Sequence, residues 1–180
     1  MKYLTINELE RLLEAVDTPR HKLMLKMAFL HGMRVSELIG LTTKNIQDGY
    51  LTVKRLKGSQ KTTQPVQEEG TGLFNESVEL NQLVLTLKPG DRLFPMTRFG
   101  VYKLIKRAGK RAGIPEHKLF PHALKHSLAM QTIHSAGIEN VRQWLGHKSI
   151  ASTGAYLRVS DEEASRAIGS ALHVAGEARK

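Results

Sequence analysis

The chain has 180 residues, 41% hydrophobic and 24% charged, which fits one globular domain with its own core. It carries 27 Lys and Arg against 17 Asp and Glu, a formal net charge of +10 that favours a polyanionic partner, although a merely soluble basic protein would show the same balance. The lack of cysteine excludes disulfides, thiolate metal sites and cysteine nucleophiles, and no apolar run reaches the roughly 18–20 residues that span a membrane.

The first forty residues show helical patterns. Thr5, followed three residues later by Glu8, is a capping-box signature for a first helix. A second, buried helix is predicted to end at Gly32, and VSELIGL (35–41) predicts a short third one. The apolar stripe of the first helix consists of Leu9, Leu12, Leu13 and Val16.

The pattern then changes to one typical of strands. GYLTVKRL (49–56) and KTTQPVQ (61–67) are rich in strand-forming residues and flank the polar KGSQ, which predicts a β-hairpin with its tip near Gly58. A further helix is expected between residues 68 and 91, stopped by Pro89 and Gly90. LFP (93–95) is expected to form a brief strand.

The remainder is predicted to be helical. The segment RFGVYKLIKRAGKRAG (98–113) has an apolar side and a basic side. The basic side faces either water or the phosphates of a nucleic acid. Further helices are expected in residues 121–137, 138–147 and 149–159. The fold class is therefore mainly α with a small antiparallel β-sheet (α+β).

One stretch of the chain, PHALKHS (121–127), places His122, Lys125 and His126 on one helix face, because offsets of three and four bring side chains together. Such a face could be solvated, hold a metal or bind an anion. A zinc site on the two histidines has suitable spacing. However, there is no cysteine and no HExxH glutamate, and the lysine would lie beside the ion, so we expect no metal.

Four segments resemble, in order and spacing, the catalytic domain of the tyrosine recombinases, or phage-type integrases: HGMRVSELIGL (31–41), LTVKRLKGSQKTTQPV (51–66), HALKHSLA (122–129) and WLGHKSIASTGAY (144–156). The resemblance covers nearly the whole chain. It implies an enzyme that cuts and rejoins double-stranded DNA through a covalent 3′-phosphotyrosyl intermediate, without ATP, metal or other cofactor.

The resemblance assigns Arg34 as the first phosphate clamp, a role that suits a planar guanidinium that stays charged. The alternative for this residue is a surface arginine paired with Glu37. It assigns Lys57 as the general acid on the leaving 5′-oxygen, provided that its surroundings lower its pKa. A solvated hairpin lysine is the alternative, and the near competitors for the role are Lys54, Arg55 and Lys61.

Tyr156 is assigned as the nucleophile, since it follows His147 at the family's spacing of nine residues. A packed core tyrosine would be the alternative for an isolated residue. In the resemblance His147 donates to a non-bridging phosphate oxygen, and His122 is a proton acceptor or phosphate ligand. His126 has a more structural role. His21, His31, His117, His134 and His173 have no motif support, and we expect them to be ordinary.

Lys125 departs from the family pattern, which has a second clamping arginine at this position. Lysine keeps the charge but loses the bidentate fork. Loss of one directed donor to a transition-state oxygen typically costs about 10²–10³ in rate. We therefore expect a recombinase with weakened activity, whether the lysine is natural or engineered. A non-cleaving DNA-binding protein on the same fold and a type IB topoisomerase-like enzyme remain alternatives.

The expected organisation is a single catalytic domain over residues 1–160 and a helical tail over 161–180, without an N-terminal core-binding domain, a size that resembles the fimbrial-switch invertases. In the family such a tail docks into a neighbouring protomer, whereas docking onto its own domain is the alternative. The partners expected are double-stranded DNA, further copies of the chain (dimer to tetramer) and accessory DNA-bending proteins. The polar N-terminus suggests no secretory signal, so we expect a cytoplasmic, nucleoid-associated protein of a bacterium, archaeon or phage.

Overall fold

The computed structural model describes residues 2–55, 60–70 and 72–154. Within these ranges the chain is mainly helical with a small three-stranded antiparallel sheet, as the sequence predicted. The helices are α1 (Ile6–Glu14), α2 (Pro19–Leu30), α3 (Val35–Leu38), α4 (Ser77–Leu85), α5 (Arg98–Arg111), α6 (His122–Ala136), α7 (Ile138–Leu145) and α8 (Ala151–Gly154), and the strands are β1 (Ile46–Gln47), β2 (Tyr50–Val53) and β3 (Thr62–Pro65).

The first helix begins at the capping box that the sequence predicted. Thr5 Oγ1 accepts a hydrogen bond from the Glu8 backbone N–H at 3.2 Å, and Glu8 Oε2 accepts one from the Thr5 N–H at 2.8 Å. Glu8 also accepts from Lys118 Nζ at 2.7 Å, which attaches α1 to the segment before α6. The predicted apolar stripe is buried.

The sheet contains the predicted hairpin and one additional strand. Strand β2 pairs antiparallel with β3, with Val53 opposite Thr62, and β1 pairs with the other edge of β2. The turn between β1 and β2 contains Asp48 and Gly49, both at positive φ, as is typical of an Asp-Gly turn in a tight hairpin. This hairpin was not predicted from the sequence. The hairpin tip at residues 56–59 lies outside the described residues.

The expected brief strand at residues 93–95 is wrong. This segment contacts the rest of the protein through an isolated bridge between Thr42 and Arg92 and through a hydrogen bond from the Leu93 N–H to the Leu41 carbonyl. Leu93 and Phe94 are buried, so the apolar pattern reflects core packing and not a ladder.

Helix α2 lies at the centre of the molecule and contacts α1, α3, α4 and α6. Its residues from Leu23 to Leu30 are all buried, which explains why its sequence is apolar on nearly every side. Because α6 packs on α2 and α7 packs on α6, the end of α2 and the end of α7 lie close together. In the described part of the chain, no helix has the length and apolar character required to cross a bilayer.

Candidate functional site

Arg34 follows a tight turn at the end of α2 and is the residue immediately before α3. Gly32 in this turn has a φ of +55°, and a Cβ built there would lie 2.3 Å from Leu145 Cδ2. The turn therefore requires glycine, both for its backbone conformation and because α7 packs directly against it. This packing places Arg34 beside the residues that follow α7.

The Arg34 side chain is paired, but it is not enclosed. Its Nη1 donates to Glu37 Oε1 at 2.9 Å, and its backbone N–H donates to Glu37 Oε2 at 2.8 Å. The side chain of Arg34 is still 25% exposed, whereas that of Glu37 is fully buried. The ion pair between Arg34 and Glu37, which the sequence raised as an alternative, is therefore present. The paired guanidinium remains accessible to water and hence to a ligand.

His31, which the sequence analysis took as ordinary, is fully buried in the same turn. Its Nδ1 lies 2.7 Å from Gln64 Oε1 and its Nε2 lies 2.5 Å from Glu76 Oε1. Its ring also stacks on Trp144 of α7. These contacts tie the turn before Arg34 to the hairpin and to α7.

Arg55, just after β2, is fully buried and has five acceptors around its five N–H groups. Burial lowers the pKa of Arg55, and the carboxylate of Glu37 acts in the opposite direction. Since its donors are occupied, Arg55 does not fit the general-acid role for which the sequence made it a competitor. Its acceptors are Thr62 Oγ1 (3.0 Å), the Gly32 carbonyl (3.1 Å), Glu37 Oε2 (3.2 Å) and the carbonyls of His31 and Trp144 (2.8 Å each).

Lys125 lies on the buried side of α6, with no exposed surface. Its Nζ donates to the Leu145 carbonyl at 3.1 Å. Burial, followed by the positive charge of Arg55, lowers the pKa of Lys125 to about 7, although Glu37 opposes this shift. Near neutral pH this position therefore carries a partial charge, whereas an arginine would be fully charged.

His147 follows α7 directly, after Gly146, which has the left-handed conformation. Its Nδ1 lies 2.9 Å from Oγ1 of the fully buried Thr153 on α8. Burial and the neighbouring cations, of which Lys125 has the largest effect, lower the pKa of His147 to about 4. The imidazole is therefore neutral at pH 7, with one ring nitrogen fixed by Thr153.

His122 and His126 begin α6 with their rings edge to face and their centroids 4.5 Å apart. Although His122 keeps much of its surface in water, loss of hydration and then the nearby His126 and Lys125 lower its pKa to about 4. The pKa of His126 is also lowered, first by burial and then by Lys125. Among the described residues, no group of three or more His, Asp or Glu side chains is arranged to hold a metal ion.

The structure thus brings four of the six candidate site residues into one region. The charges of Arg34 and Lys125 act on both His122 and His147. The other two candidates, Lys57 and Tyr156, lie outside the described residues. The cations in this region outnumber the carboxylate supplied by Glu37, so the site is suited to an anion such as a phosphodiester.

Two residues that hold this site together were not predicted from the sequence: Arg55, a buried anchor, and Thr153, the partner of His147. The signal for Arg55 was available, because Leu51, Val53 and Arg55 alternate along a strand whose inward positions are buried. For Thr153 there was no such signal, because its burial depends on how the short helix α8 packs.

Comparison with known proteins gives one consistent family. The phage integrase family profile matches residues 2–163. The tyrosine recombinase XerD of Proteus mirabilis is 34% identical over 176 residues, which cover 89% of this chain and 56% of the relative. XerA of Pyrococcus furiosus is 30% identical over 187 residues, covering 93% and 60% respectively. The chain therefore spans somewhat more than half the length of these curated relatives.

Solved structures give the same fold. The XerA recombinase superposes with a TM-score of 0.71 at 27% identity, covering 93% of this chain and 64% of that one. The catalytic domain of bacteriophage HP1 integrase superposes with a TM-score of 0.69 at 25% identity, covering 94% of each chain. XerH in a pre-cleavage complex with its difH substrate has a TM-score of 0.73 at 23% identity, covering 93% and 54%, a likeness of fold alone.

Proposed function

Because the chain belongs to the phage integrase family, which includes the tyrosine recombinases, we propose that it is a site-specific recombinase that cuts and rejoins double-stranded DNA. The observation that carries the proposal is the convergence of Arg34, His122, Lys125 and His147, from three separate segments, on one cationic region. Attack on a phosphodiester places negative charge on phosphorus-bound oxygens, and fixed cations and donors lower that barrier.

In the proposed reaction Tyr156 Oη attacks phosphorus and the bond to the 5′-oxygen breaks, leaving a 3′-phosphotyrosyl bond and a free 5′-hydroxyl. His122, neutral because its pKa is about 4, accepts the phenolic proton. Lys57 donates a proton to the departing 5′-oxygen. The roles of Tyr156 and Lys57 follow from the family motif, whereas the role of His122 is also supported by its lowered pKa, which keeps the imidazole neutral.

Arg34 and His147 would bind the non-bridging phosphate oxygens. The accessible part of the Arg34 guanidinium provides charged donors, and Glu37 orients it. If the Thr153 hydroxyl donates to Nδ1 of His147, the ring proton is on Nε2, where it can donate to phosphate. Thr153 lies on α8, three residues before Tyr156, so the proposed nucleophile follows a segment that is already attached to the site.

A covalent-adduct experiment tests this function. The full chain is incubated with a pool of nicked duplexes of randomised sequence, in which loss of a short 5′-hydroxyl fragment traps any cleaved product. We expect an SDS-resistant protein–DNA adduct that disappears in Tyr156→Phe. Tyr50→Phe, which changes an exposed tyrosine on β2, should retain the adduct.

The two alternative functions give different results in the same experiment. Retarded duplex without any adduct, in the wild type and in Lys125→Arg, would indicate a non-cleaving DNA-binding protein and would contradict the proposal. An adduct together with relaxation of supercoiled plasmid, but without strand exchange between two sites, would indicate a topoisomerase-like enzyme.

We also propose that copies of the chain assemble on DNA through residues 161–180, which lie outside the described residues. Their small apolar residues recur at helical spacing in the sequence. An apolar groove of about 480 Å³ between the end of α2, α6 and α7 has a size and lining that suit a helix of this kind. The lining includes Leu30, Leu128, Val141 and Trp144.

Assembly is tested by measuring the mass of the protein–DNA complex. Deletion of residues 161–180 should convert an assembled species into monomers on DNA. Ala136→Arg, which places a charge in the groove, should have the same effect, whereas Ser135→Arg at the neighbouring exposed position should not. An unchanged mass after the deletion would contradict docking between copies.

A further inference from the structure

Arg55 contacts both backbone segments that lead to proposed phosphate ligands. On one side its guanidinium donates to the carbonyls of His31 and Gly32, in the turn that leads to Arg34. On the other side it donates at 2.8 Å to the Trp144 carbonyl, in the last turn of α7 that leads to His147. A single buried side chain thus fixes the distance between these two segments.

The remaining bonds of Arg55 attach the hairpin and α3 to the same point. Its Nε donates to Thr62 Oγ1 of β3, and its Nη1 reaches Glu37 Oε2. The same Glu37 oxygen accepts the backbone N–H of Arg34. Residues 56–59, which include Lys57, lie between Arg55 and Gln60, and the Gln60 N–H donates to the Gly146 carbonyl. Arg55 therefore also anchors one end of the segment that carries the proposed general acid.

Arg55 and Lys125 are close neighbours at the end of α7. They donate to consecutive carbonyls, those of Trp144 and Leu145, at 2.8 and 3.1 Å. Cations are favourable at a helix C-terminus, where carbonyls lack partners within the helix. The two cations nevertheless repel each other, because both are buried at adjacent positions.

We infer that Arg55 is a positioning residue of this site, which holds the backbone before Arg34 and before His147 in one arrangement and places a fixed positive charge beside Lys125. It does not touch DNA, because its five N–H groups are occupied within the protein. The consequence for catalysis rests on the proposed function, whereas the consequence for Lys125 does not. Nothing in the sequence motifs assigned this role to Arg55.

The charge on Lys125 depends on several neighbours besides Arg55. Glu37 favours its protonated form and Arg34 disfavours it. His122 and His126 on its own helix, and His147 after α7, are the other titratable groups that interact with it. Substitution of Arg55 leaves all five of these groups in the chain. A change in the pKa of Lys125 in such a variant is therefore attributed to Arg55.

Two substitutions separate the charge of Arg55 from its hydrogen bonds. Arg55→Gln removes the charge, and Arg55→Lys retains an ionisable amine, whose charge burial also disfavours, but loses the planar fork that reaches both segments. The full chain is prepared with ¹³C-labelled lysine, and the Lys125 signal, assigned by its loss in Lys125→Met, is titrated by NMR. Arg55→Gln should raise the apparent pKa of Lys125 by roughly one unit, and Arg55→Lys should raise it by less, because a buried lysine at position 55 is charged during only part of the titration.

The same variants are then compared for duplex retention and for adduct formation. Both should lower the initial rate of adduct formation by at least tenfold, on the order of the loss expected from displaced catalytic groups. Their DNA affinity should remain within about threefold of the wild type, since Arg55 makes no phosphate contact. Arg11→Gln, which removes an arginine–carbonyl bond to Ala112 elsewhere in the fold, should change neither measurement.

An unchanged Lys125 titration in Arg55→Gln, together with a wild-type adduct rate, would overturn the inference. If neither Arg55 variant folds, Thr62→Val decides, because it keeps Arg55 and removes the acceptor of its Nε. It should slow adduct formation several-fold and Thr62→Ser should restore it, whereas a wild-type rate in Thr62→Val would overturn the inference. Failure of the wild type to form any adduct refutes the proposed function, and the Lys125 titration still tests Arg55.

Discussion

Lys125 is a lysine at a position where burial and neighbouring cations disfavour its charge. Its pKa is lowered to about 7, first by burial and then by Arg55. Above that pH the side chain becomes a neutral amine, which stabilises an anionic transition state far less well than a cation does. In the proposed role of Lys125, a lysine differs from an arginine in more than geometry, because its charge depends on pH near neutrality.

Lys125→Arg should consequently raise the rate of adduct formation by an amount that grows with pH. A guanidinium stays charged in this range, so we expect a small gain near pH 6 and at least tenfold near pH 9. Initial adduct rates are measured at several pH values at constant ionic strength. Lys88→Arg, at an exposed position, provides the control. A ratio of rates that does not change with pH would show that Lys125 does not act through its charge.

The sequence allowed candidate site residues to be named, whereas it did not allow their environments to be predicted. The resemblance to the family motif predicted Arg34, His122, Lys125 and His147 as site residues, and the structure brings these four side chains into one region. The motif could not indicate that Lys125 is completely buried, since burial is set by the packing of α7 on α6.

The end of α7 is stabilised by other elements of the protein. The Trp144 carbonyl accepts from Arg55 and from Gln64, and the Leu145 carbonyl accepts from Lys125. Gly146 then reverses the chain with a φ of +67°. Donors from the hairpin and from α6 thus satisfy carbonyls that a helix leaves unpaired, and they fix the direction in which His147 leaves the helix.

Gly146→Ala should displace this end of α7. A Cβ at this position would lie 2.8 Å from Arg55 Cγ and 2.9 Å from the Gln60 carbonyl oxygen, in a backbone conformation that already disfavours side chains. We expect a loss of roughly 2–3 kcal/mol in the free energy of unfolding and a strong loss of adduct formation. Denaturant unfolding and the adduct assay are the measurements.

Gly113→Ala is the matched control for this prediction. Gly113 has a φ of +66°, but the nearest atom to a Cβ at this position would be 3.9 Å away. The stability lost in Gly113→Ala therefore measures the cost of the backbone conformation without a steric clash. We expect a cost of about 1 kcal/mol and an unchanged adduct rate. Equal effects of the two substitutions on adduct formation would show that the contact between Gly146 and Arg55 has no role in the site.

Elements with a strong periodic pattern were predicted well. The Thr5–Glu8 capping box located the start of α1, and the strand pattern located β2 and β3. The short strand β1 was missed because two residues carry no period, although Asp48-Gly49 marked its turn. Residues 93–95 were wrongly expected to form a strand. A short apolar run has the same pattern whether its residues pair in a β-sheet or only pack in the core.

At the scale of the whole molecule, the site depends on long-range packing that no local pattern specifies. Arg34, Arg55, Lys125 and His147 come from four segments that meet only because α2 forms the centre of the core. The resemblance to a family predicted this convergence, whereas composition and periodicity alone predicted only a basic, mainly helical domain. The fold therefore brings His122, Lys125 and His147 close together and lowers the pKa of each, which favours their neutral forms.

This arrangement makes the stability of the free protein depend on pH. The pKa values of His122 and His147 are lowered to about 4, so below about pH 6.5 the unfolded chain binds protons that the folded protein does not. Stability should therefore fall as the pH decreases from 6.5 to 4. Lys125 acts in the same direction at higher pH, because its pKa of about 7 makes stability rise from pH 7 towards 10.

We expect the free energy of unfolding at pH 4.5 to be lower than at pH 7 by on the order of 2 kcal/mol, mostly from buried His147, since water screens the exposed His122. Denaturant unfolding at each pH measures it. His147→Gln should reduce the slope below pH 6.5, whereas His134→Gln, which removes an exposed imidazole at the other end of α6, should not. A slope that His147→Gln leaves intact would mean that other groups, such as the carboxylate of Glu8 with its lowered pKa, cause the acid sensitivity.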